Sequence, residues 1–300
     1  MLIEQAIFTS LKTQQQEGYQ LAAKSPGIGA ALARELDPWG PAHDALLVGE
    51  CGATSLNFHP LSTGDFCLSK TFAAGDEYSG RGGPRIYTQM LILTPAVLRQ
   101  FGSQPFAIAE AMTAAGTLQV CEQVPATLPP LNLLGKATAL NQLRLAELLI
   151  DVGLAPFARF VHLAVNSTRL AVRSPVPLER LFAGLLMVLP PTYRPQVSFS
   201  TGLRSSPRRP FRLFGLSPDT AEQRMVQRTT DAELLDLTRR TREEMDELPP
   251  GYASMLGDVF ETRQLGLLTE ILRRADLYCE QGLPLDEAAL RLQADVEVEA

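Results

Sequence analysis

The sequence predicts an α+β protein in three parts: an N-terminal domain with a mixed or antiparallel sheet, a second, smaller α+β domain, and a helical C-terminal extension. Short apolar runs bounded by Gly, Pro and Ser fill residues 1–93 and are typical of strands. Amphipathic patterns with a period near 3.6 dominate after residue 137 and indicate helices. The composition of this chain of 300 residues, 45% hydrophobic and 20% charged, is globular and excludes bulk disorder and coiled coil.

The first strands are predicted from alternation and from the turns that bound them. Residues 3–8 alternate well enough for a strand, and residues 18–22 form its hairpin partner, which Ser25-Pro26-Gly27 ends. A short helix is predicted over residues 29–36, and it stops where Pro38 breaks the pattern.

The strongest strand pattern follows a glycine-rich loop. Strands at 55–61 and 66–72 lead into the loop 75–85, and residues 86–93 (IYTQMLIL) are apolar enough for a central strand. Two helices complete this domain, the second with Gly116 as its C-cap. They are predicted at residues 95–101 and 105–115.

A proline-rich linker separates the predicted domains. Residues 125–130 (PATLPP) interrupt the pattern, so we expect residues 1–124 and 131–230 to form separate cores. The predicted domains are residues 1–136, 137–230 and 231–300. The elements predicted after the linker are a helix at 137–150, a strand at 169–173, a helix at 177–189, paired strands at 197–201 and 211–216 around the loop 202–210, and an acidic, helical segment from 231 onward.

The charge is uneven along a chain whose formal net charge is −6. Residues 141–230 hold 12 basic and 5 acidic side chains, whereas residues 231–300 hold 7 basic and 17 acidic ones. Either these two parts neutralise each other within the protein or one of them is a partner surface. A pI of about 5.3, with no aromatic residues interleaved among the arginines as stacking platforms, disfavours nucleic acid as a partner.

Several sequence signals are absent, and their absence excludes classes of protein. No stretch offers the roughly 20 continuous apolar residues of a membrane span, and the N-terminus lacks the basic and apolar regions of a signal peptide. We therefore expect a cytoplasmic protein with no membrane partner. The four cysteines and three histidines show neither CxxC nor HExxH spacing, so we expect reduced thiols, no metal and no cofactor.

The glycine-rich loop, residues 75–85, is the first candidate site. Glycines let backbone N–H groups converge on an anion, and an arginine can add a bidentate contact. The loop matches neither the GxxxxGK[ST] motif nor a GxGxxG that opens a helix. The alternative is a long hairpin loop whose glycines supply positive φ angles. The candidate partner- or anion-binding residues in it are Tyr78, Ser79, Gly80, Arg81, Gly83 and Arg85.

Arg81 stands between Gly80 and the Gly82-Gly83 pair, directly before the strongest strand. Because the flanking glycines have no side chains, a phosphate or a partner carboxylate can come close to the guanidinium. We expect Arg81→Ala to weaken binding and to leave the melting temperature nearly unchanged. An internal pair with Asp76 or Glu77 is the alternative, and the same substitution would then lower stability instead.

The second candidate site surrounds the predicted strand at 197–201. The hydroxyls of Ser198 and Ser200 alternate along this strand, and Arg194 and Arg204 flank it. Such a group could hold phosphate. It could equally be a solvated strand edge that its charges keep from aggregating.

Cys51 and His59 form a third candidate pair. They lie eight residues apart across a predicted turn, and a thiol beside an imidazole can act as nucleophile and base. No signature motif accompanies them, and chance proximity in the sequence is the alternative.

Several short motifs follow one another in a distinctive order. They are Gln5-Ala6-Ile7-Phe8, Gly18-Tyr19-Gln20-Leu21, Ser25-Pro26-Gly27, Ser55-Leu56-Asn57-Phe58 with His59-Pro60-Leu61, and Gly75-Asp76-Glu77-Tyr78-Ser79-Gly80-Arg81-Gly82-Gly83 with Tyr87-Thr88. Over about residues 1–136 this series resembles the type-two N-terminal domain of bacterial GTPase-associated proteins, with Gly18, Tyr19, Ser25 and Gly27 among its signature positions. The segment with Leu189-Pro190, Arg194 and Ser198-Phe199-Ser200-Thr201 is similar to the middle domain that follows in those proteins.

The resemblance implies a component of bacterial NTP-dependent conflict systems, which works beside a separate GTPase and other system proteins. It carries over no catalytic residue set, and the missing P-loop agrees with the GTPase being another chain. The function expected from it is that of a non-enzymatic adaptor that binds a GTPase or an effector. Two alternatives stay open: a nucleotide or phosphate-ligand sensor that uses residues 80–85 or 194–209, and a cryptic hydrolase around Cys51 and His59.

Overall fold

A computed structural model of the chain describes residues 1–12, 17–48, 53–76, 83–137, 140–239, 251–262 and 264–299. Within these ranges the strands are β1 (Leu2–Lys12), β2 (Glu17–Lys24), β3 (Thr54–Pro60), β4 (Phe66–Asp76), β5 (Pro84–Leu93), β6 (Leu131–Asn132), β7 (Leu170–Arg173), β8 (Phe199–Ser200), β9 (Leu213–Gly215) and β10 (Glu233–Asp236). The α-helices are α1 (Ala30–Leu36), α2 (Pro95–Gln100), α3 (Pro105–Ala114), α4 (Gln142–Val152), α5 (Leu154–Asn166), α6 (Leu178–Val188), α7 (Thr220–Thr229), α8 (Tyr252–Glu261), α9 (Leu268–Glu280) and α10 (Leu285–Glu299).

The chain divides into two compact units. Unit 1 comprises Met1–Phe101, Pro105–Ala137 and Ser198–Ser217, and unit 2 comprises Gly102–Gln104, Thr138–Val197 and Pro218–Ala300. Ala137 lies at the predicted boundary between the first two domains, whereas Ser198–Ser217 group with the N-terminal part of the chain. Whether the predicted domains fold independently stays a prediction, which limited proteolysis at 125–130 and 202–210 can check.

Unit 1 is built around one mixed sheet. Its strands lie in the order β9-β8-β3-β4-β5-β1-β2, and β6 pairs with the start of β1. Neighbouring strands are antiparallel, apart from the parallel pair of β8 and β9. β5 lies between β4 and β1, so the prediction of a central strand at residues 86–93 is confirmed, as is the hairpin of β1 and β2.

Alternation along the strands gives the sheet two packed faces. On one face α1 covers a cluster that includes Phe8 and Met90, and on the other Tyr87 packs with Ile7 and Leu128. At the β8 end, the ring of Phe106 in α3 stacks on Phe199 with centroids 4.7 Å apart. These contacts place both sides of the sheet inside hydrophobic cores.

The predicted linker packs on the unit 1 sheet. The N–H of Leu128 donates to the Lys24 carbonyl (3.3 Å), and Gln5 Nε2 donates to the Pro129 carbonyl (2.7 Å). The chain then enters β6, which pairs with β1. Residues 125–130 are therefore part of unit 1, where they precede β6.

Unit 2 is mostly helical in its described ranges. Phe157 and Phe160 of α5, Phe182 of α6 and Phe260 of α8 form an aromatic core with neighbouring ring centroids 5.9–6.2 Å apart. β7 and β10 add a short parallel pair. The prediction of an α+β protein with a helical C-terminal part is confirmed by these elements.

One part of the prediction for the C-terminal segment is wrong. Residues 233–236, expected to be helical, form β10, where Leu234 and Leu235 lie opposite Ala171 and Val172 of β7. Leu235 is buried there, so packing against β7 overrides the helical tendency of a charged segment. Residues 240–250, the centre of the predicted charged helix, lie outside the described ranges.

The helices α4 and α5 meet at Gly153, whose φ is +95°, and their axes bend by 105°. Taken together they have the length and apolar composition of a membrane span, but no single helix among the described residues does. The positive φ explains why a glycine stands at this bend.

Candidate functional site

The glycine-rich loop reaches the described part of the chain at Gly83. Tyr78, Ser79, Gly80 and Arg81 lie outside the described residues. Gly83 has a φ of +81°, and a Cβ at this position would lie 2.9 Å from Cε1 of His43. Both the backbone conformation and the space therefore require glycine, since a larger residue would push the imidazole away.

The segment 43–47 also contacts the second candidate region. The N–H of Arg204 donates to the Ala45 carbonyl (2.8 Å), and Arg204 Nε donates to the Leu46 carbonyl (3.3 Å). In the other direction the N–H of Leu47 donates to the Gly202 carbonyl (2.8 Å). The structure thus brings Gly83 and Arg204, which the sequence placed in two separate candidate sites, to the same short segment.

The loop from residue 202 to residue 212, here the arginine loop, is strongly basic. It contains Arg204, Arg208, Arg209 and Arg212 and no acidic residue. Arg204 and Arg208 are exposed, whereas Arg209 is buried and its Nε has no acceptor among the described residues. Burial, and next the charge of Arg208, lower the pKa of Arg209. Gly83, the segment 43–47 and the arginine loop together form what we call the basic surface of unit 1.

Arg85 lies at the start of β5, on the face that it shares with Tyr87 by strand alternation. It is half-buried, and its Nε has no hydrogen-bond acceptor among the described residues. Its charge is one of the influences on the Tyr87 hydroxyl, whose pKa burial raises to about 12.

Arg194 lies in unit 2 and is not at the basic surface. Its side chain is 0% exposed. The guanidinium donates to the carbonyls of Leu189 (2.8 Å), Gly102 (2.5 Å) and Met187 (3.4 Å). Burial lowers its pKa to about 10, which still leaves it charged at neutral pH. The guanidinium is therefore buried within unit 2, where it crosslinks three backbone carbonyls.

Ser198 and Ser200 hold the strands around the arginine loop. Ser200 is fully buried, donates to Asn57 Oδ1 (2.7 Å) and accepts from the N–H of Leu203 (3.1 Å). Ser198 Oγ accepts from the N–H of Arg212 (3.0 Å). The two hydroxyls therefore bond to the two ends of the arginine loop, at Leu203 and Arg212.

A buried polar row across unit 1 was not predicted. Asn57 Oδ1 also accepts from Ser55 Oγ (2.8 Å), and Asn57 Nδ2 donates to Ser69 Oγ (3.2 Å) and Thr71 Oγ1 (3.3 Å). Thr71 and Thr88 share a further hydrogen bond at 3.0 Å. The signal in the sequence is the recurrence of small polar residues at alternate positions of three strands, which places them on one face.

The four signature positions have structural roles. Gly18 adopts a φ of +115°, and the Tyr19 hydroxyl accepts from the N–H of Ile86 (3.1 Å). Ser25 pairs with Gln5 twice, since its N–H donates to the Gln5 carbonyl (2.8 Å) and its Oγ accepts from the Gln5 N–H (3.0 Å). The N–H of Gly27 donates to Glu4 Oε2 (3.2 Å), and a Cβ there would overlap the Glu4 side chain. These residues join β1, β2 and β5.

His59 lies in an aromatic stack. Its ring is 3.6 Å from that of Trp39 and nearly parallel to it, and Phe211 meets it edge-on at 6.1 Å. Neither ring nitrogen has a hydrogen-bond partner among the described residues. Burial lowers the pKa of His59 to about 3, so the imidazole is neutral and a weak base. The predicted partner Cys51 lies outside the described residues.

Cys67 lies opposite His59 in the pairing of β3 and β4. The thiol is fully buried, and this burial, followed by the charge of Glu35, raises its pKa. A thiol in such surroundings stays protonated and is a poor nucleophile. The described residues around His59 therefore supply packing rather than an activated nucleophile.

Comparison with known proteins adds one finding. Residues 2–134 match the family described as GTPase-associated protein 1, N-terminal domain type 2. No curated protein and no solved structure matches the chain. The likeness of the following segment to a middle domain stays a prediction. The match covers β1–β6 and α1–α3, so residues 2–134 form a type 2 N-terminal domain of the GTPase-associated protein 1 family.

Proposed function

We propose that the chain is a non-enzymatic adaptor of a bacterial GTPase-centred conflict or signalling system, and that it binds a GTPase or an effector of that system through the basic surface of unit 1. The family description supplies the association with a GTPase. The observation that carries the choice of surface is the meeting of Gly83 and Arg204 at the segment 43–47.

The chemistry of this surface suits an acidic partner. The arginine loop holds four arginines and no acidic residue, and the segment 43–47 adds the one exposed carboxylate of Asp44. The excess of positive charge gives a local positive field on a protein whose net charge is −6. An exposed guanidinium can bind a carboxylate with two parallel hydrogen bonds, which fixes orientation as well as adding affinity. Gly83 is itself exposed beside His43, so a partner's main chain can approach its backbone.

Affinity purification from the source bacterium tests the proposal. Tagged wild-type chain should retain a GTPase, and the double variant Arg204→Ala, Arg208→Ala should retain about tenfold less of it, since each exposed ion pair contributes up to about 1 kcal/mol. Arg99→Ala, an exposed arginine of α2, is the matched control and should behave as wild type. Retention of no GTPase, or equal retention by the double variant, would contradict the proposal.

Arg81 extends the same test to the part of the glycine-rich loop that the structure does not describe. We expect Arg81→Ala to reduce retention of the GTPase, and Arg81→Lys to reduce it less, with the melting temperature nearly unchanged in both. A lower melting temperature with undiminished binding would assign Arg81 to an internal pair with Asp76 or Glu77.

A sensor of a nucleotide or another phosphate ligand is the second candidate function. The observation in its favour is that Nε of Arg85 and Nε of Arg209 are buried and have no acceptor among the described residues. A thermal shift screen with GTP, GDP, ATP and cyclic nucleotides separates the two functions. A ligand at 100 times its Kd should stabilise a sensor by about 2.7 kcal/mol, whereas an adaptor should show no shift.

A further inference from the structure

β2 is an edge strand of the unit 1 sheet. It pairs with β1 on one side, and among the described residues no strand pairs with its other side. Near its C-terminal end the outward carbonyl of Lys24 accepts from the N–H of Leu128 (3.3 Å). In an antiparallel pair alternate residues turn their N–H and C=O groups outward, so an eight-residue strand offers several such groups to another backbone.

A groove of about 500 Å³ runs beside this edge. Its lining consists of residues 20–24 of β2, Ala33, Arg34 and Asp37 at α1, and Ala126. Five residues of a strand span roughly 17 Å at about 3.4 Å per residue, which is the length of an extended pentapeptide. One wall of the groove is therefore a strand edge, and the others are a short helix and the 125–128 segment.

The chemistry of the groove selects its occupant. Backbone N–H and C=O groups in a row are matched only by another extended backbone. A second copy of this protein would have to bring its own α1 and Ala126 against the walls at α1 and Ala126, whereas a linear peptide brings no such bulk. Ala33 and Ala126 are small enough to admit apolar side chains from the incoming strand.

Arg34 adds a preference for charge. It is exposed, and its Nε donates to the Ala30 carbonyl (3.3 Å) within α1. Such a guanidinium at the wall of the groove can bind a carboxylate of the incoming segment. β2 contains no proline, so every residue of the strand keeps its backbone N–H, and its register against β1 shifts by one residue at Ala22.

We propose that the β2 groove binds an extended peptide segment of a partner protein, which adds antiparallel or parallel to β2 as a further strand and places an acidic side chain at Arg34. This inference rests on the geometry of β2 and α1 alone. It does not depend on the basic surface or on the identity of a GTPase.

A phage-displayed library of random linear dodecapeptides, panned on the purified full chain, supplies the probe. We expect the recovered peptides to alternate apolar and polar residues and to carry Asp or Glu. Amide hydrogen exchange within residues 19–22 should slow when such a synthetic peptide binds, because the N–H groups that face outward gain acceptors. A copy of the peptide N-methylated at alternate residues should bind at least about tenfold more weakly in one of the two methylation registers, because it loses its backbone donors.

Two variants with matched controls test whether the residues that line the β2 groove contact the peptide. Ala126→Trp should fill the groove and abolish binding, whereas Ala31→Trp, on the exposed side of α1, should not. Arg34→Glu should weaken binding of the acidic peptide about tenfold and favour a lysine-substituted copy, whereas Arg99→Glu should change neither affinity. Circular dichroism and melting of each variant establish that it is folded.

Several outcomes would overturn the proposal. These are a library that gives no binder, peptides that bind equally well after Ala126→Trp, and amide exchange within residues 19–22 that does not change on binding. Sedimentation that finds a dimer of the chain, lost in Ala126→Trp, would instead assign the edge to a second copy. None of these experiments contains a GTPase, so a negative result here does not contradict the adaptor proposal. Equally, failure to retain a GTPase does not contradict the proposal that the β2 groove binds a peptide.

Discussion

His59 in unit 1 and Arg194 in unit 2 are both basic side chains that the fold buries almost completely, yet their surroundings differ. Arg194 donates to three backbone carbonyls, whereas His59 stacks on Trp39 and has no hydrogen-bond partner among the described residues. Burial lowers the pKa of both, to about 10 for Arg194 and to about 3 for His59.

The difference shows two ways of burying a basic group. Desolvation penalises the charged form in either case, but a guanidinium cannot lose its proton at neutral pH and must be given acceptors. An imidazole can lose its proton, so an aromatic stack is enough. The stability around Arg194 in unit 2 therefore depends on the hydrogen bonds of the guanidinium. The stability around His59 in unit 1 depends on the pH.

The largest effect should follow from removing the buried cation. Arg194→Met leaves the carbonyls of Leu189, Gly102 and Met187 without this donor, and we expect unfolding free energy to fall by about 3–5 kcal/mol. Urea unfolding measures it. Arg194→Lys should recover only part of the loss, since an ammonium cannot reproduce the planar fork.

The control for this prediction is Arg99→Met, at an exposed site on α2, which should stay within about 0.5 kcal/mol of wild type. A loss below about 1 kcal/mol in Arg194→Met would mean that the buried carbonyls find other donors, and the contrast with His59 would disappear.

The second prediction concerns the pH dependence of stability. Because the pKa of His59 is about 3 when folded and 6.5 when unfolded, only the unfolded chain binds the proton between these values. Stability should therefore fall by about 1.4 kcal/mol for each pH unit below 6.5, or about 2 kcal/mol at pH 5. Above pH 6.5 this contribution is constant.

Urea unfolding of wild type and His59→Phe at pH 7, 6 and 5 isolates the histidine from the carboxylates, which titrate in both proteins. The difference in unfolding free energy between them should shift in favour of the variant as the pH falls. A constant difference would show that His59 finds an acceptor and takes up a proton in the folded state.

The smallest loss of stability should follow from removing a neutral side chain, the Ser25 hydroxyl. Ser25 is fully buried, and its Oγ accepts from the N–H of Gln5. Ser25→Ala leaves that N–H unpaired and should cost about 1 kcal/mol in thermal or urea unfolding, with no loss of GTPase retention. A loss of retention at unchanged stability would assign this signature position to partner binding instead.

Much of unit 1 could be predicted because its signals are local. The alternation in β1, β3 and β5 and the helix-breaking Pro38 depend on neighbouring residues alone. The stack of Trp39 on His59 could not be predicted, since tertiary packing brings the end of a helical turn against a strand residue twenty positions later. Likewise nothing local distinguishes Arg194, whose acceptors are backbone carbonyls, from the exposed Arg204.

In unit 2 the same limit shows in its secondary structure. No helix was predicted at α5. Its Pro156 lies in the first turn, where a proline lacks only a donor that would be unpaired there anyway. β10 was expected to be helical because its strand character comes from β7, more than sixty residues earlier in the chain.

The pairing of β8 with β3 has a consequence for synthesis of the protein on the ribosome. Leu56 and Thr201 bond across 145 residues of chain, so β3 acquires this neighbour only after the whole intervening stretch has been translated. At about 5–20 residues per second, that interval is roughly 7–30 seconds. During it the free side of β3 is an exposed edge that can pair with other nascent chains, and a slower ribosome over residues 61–198 should raise the aggregated fraction.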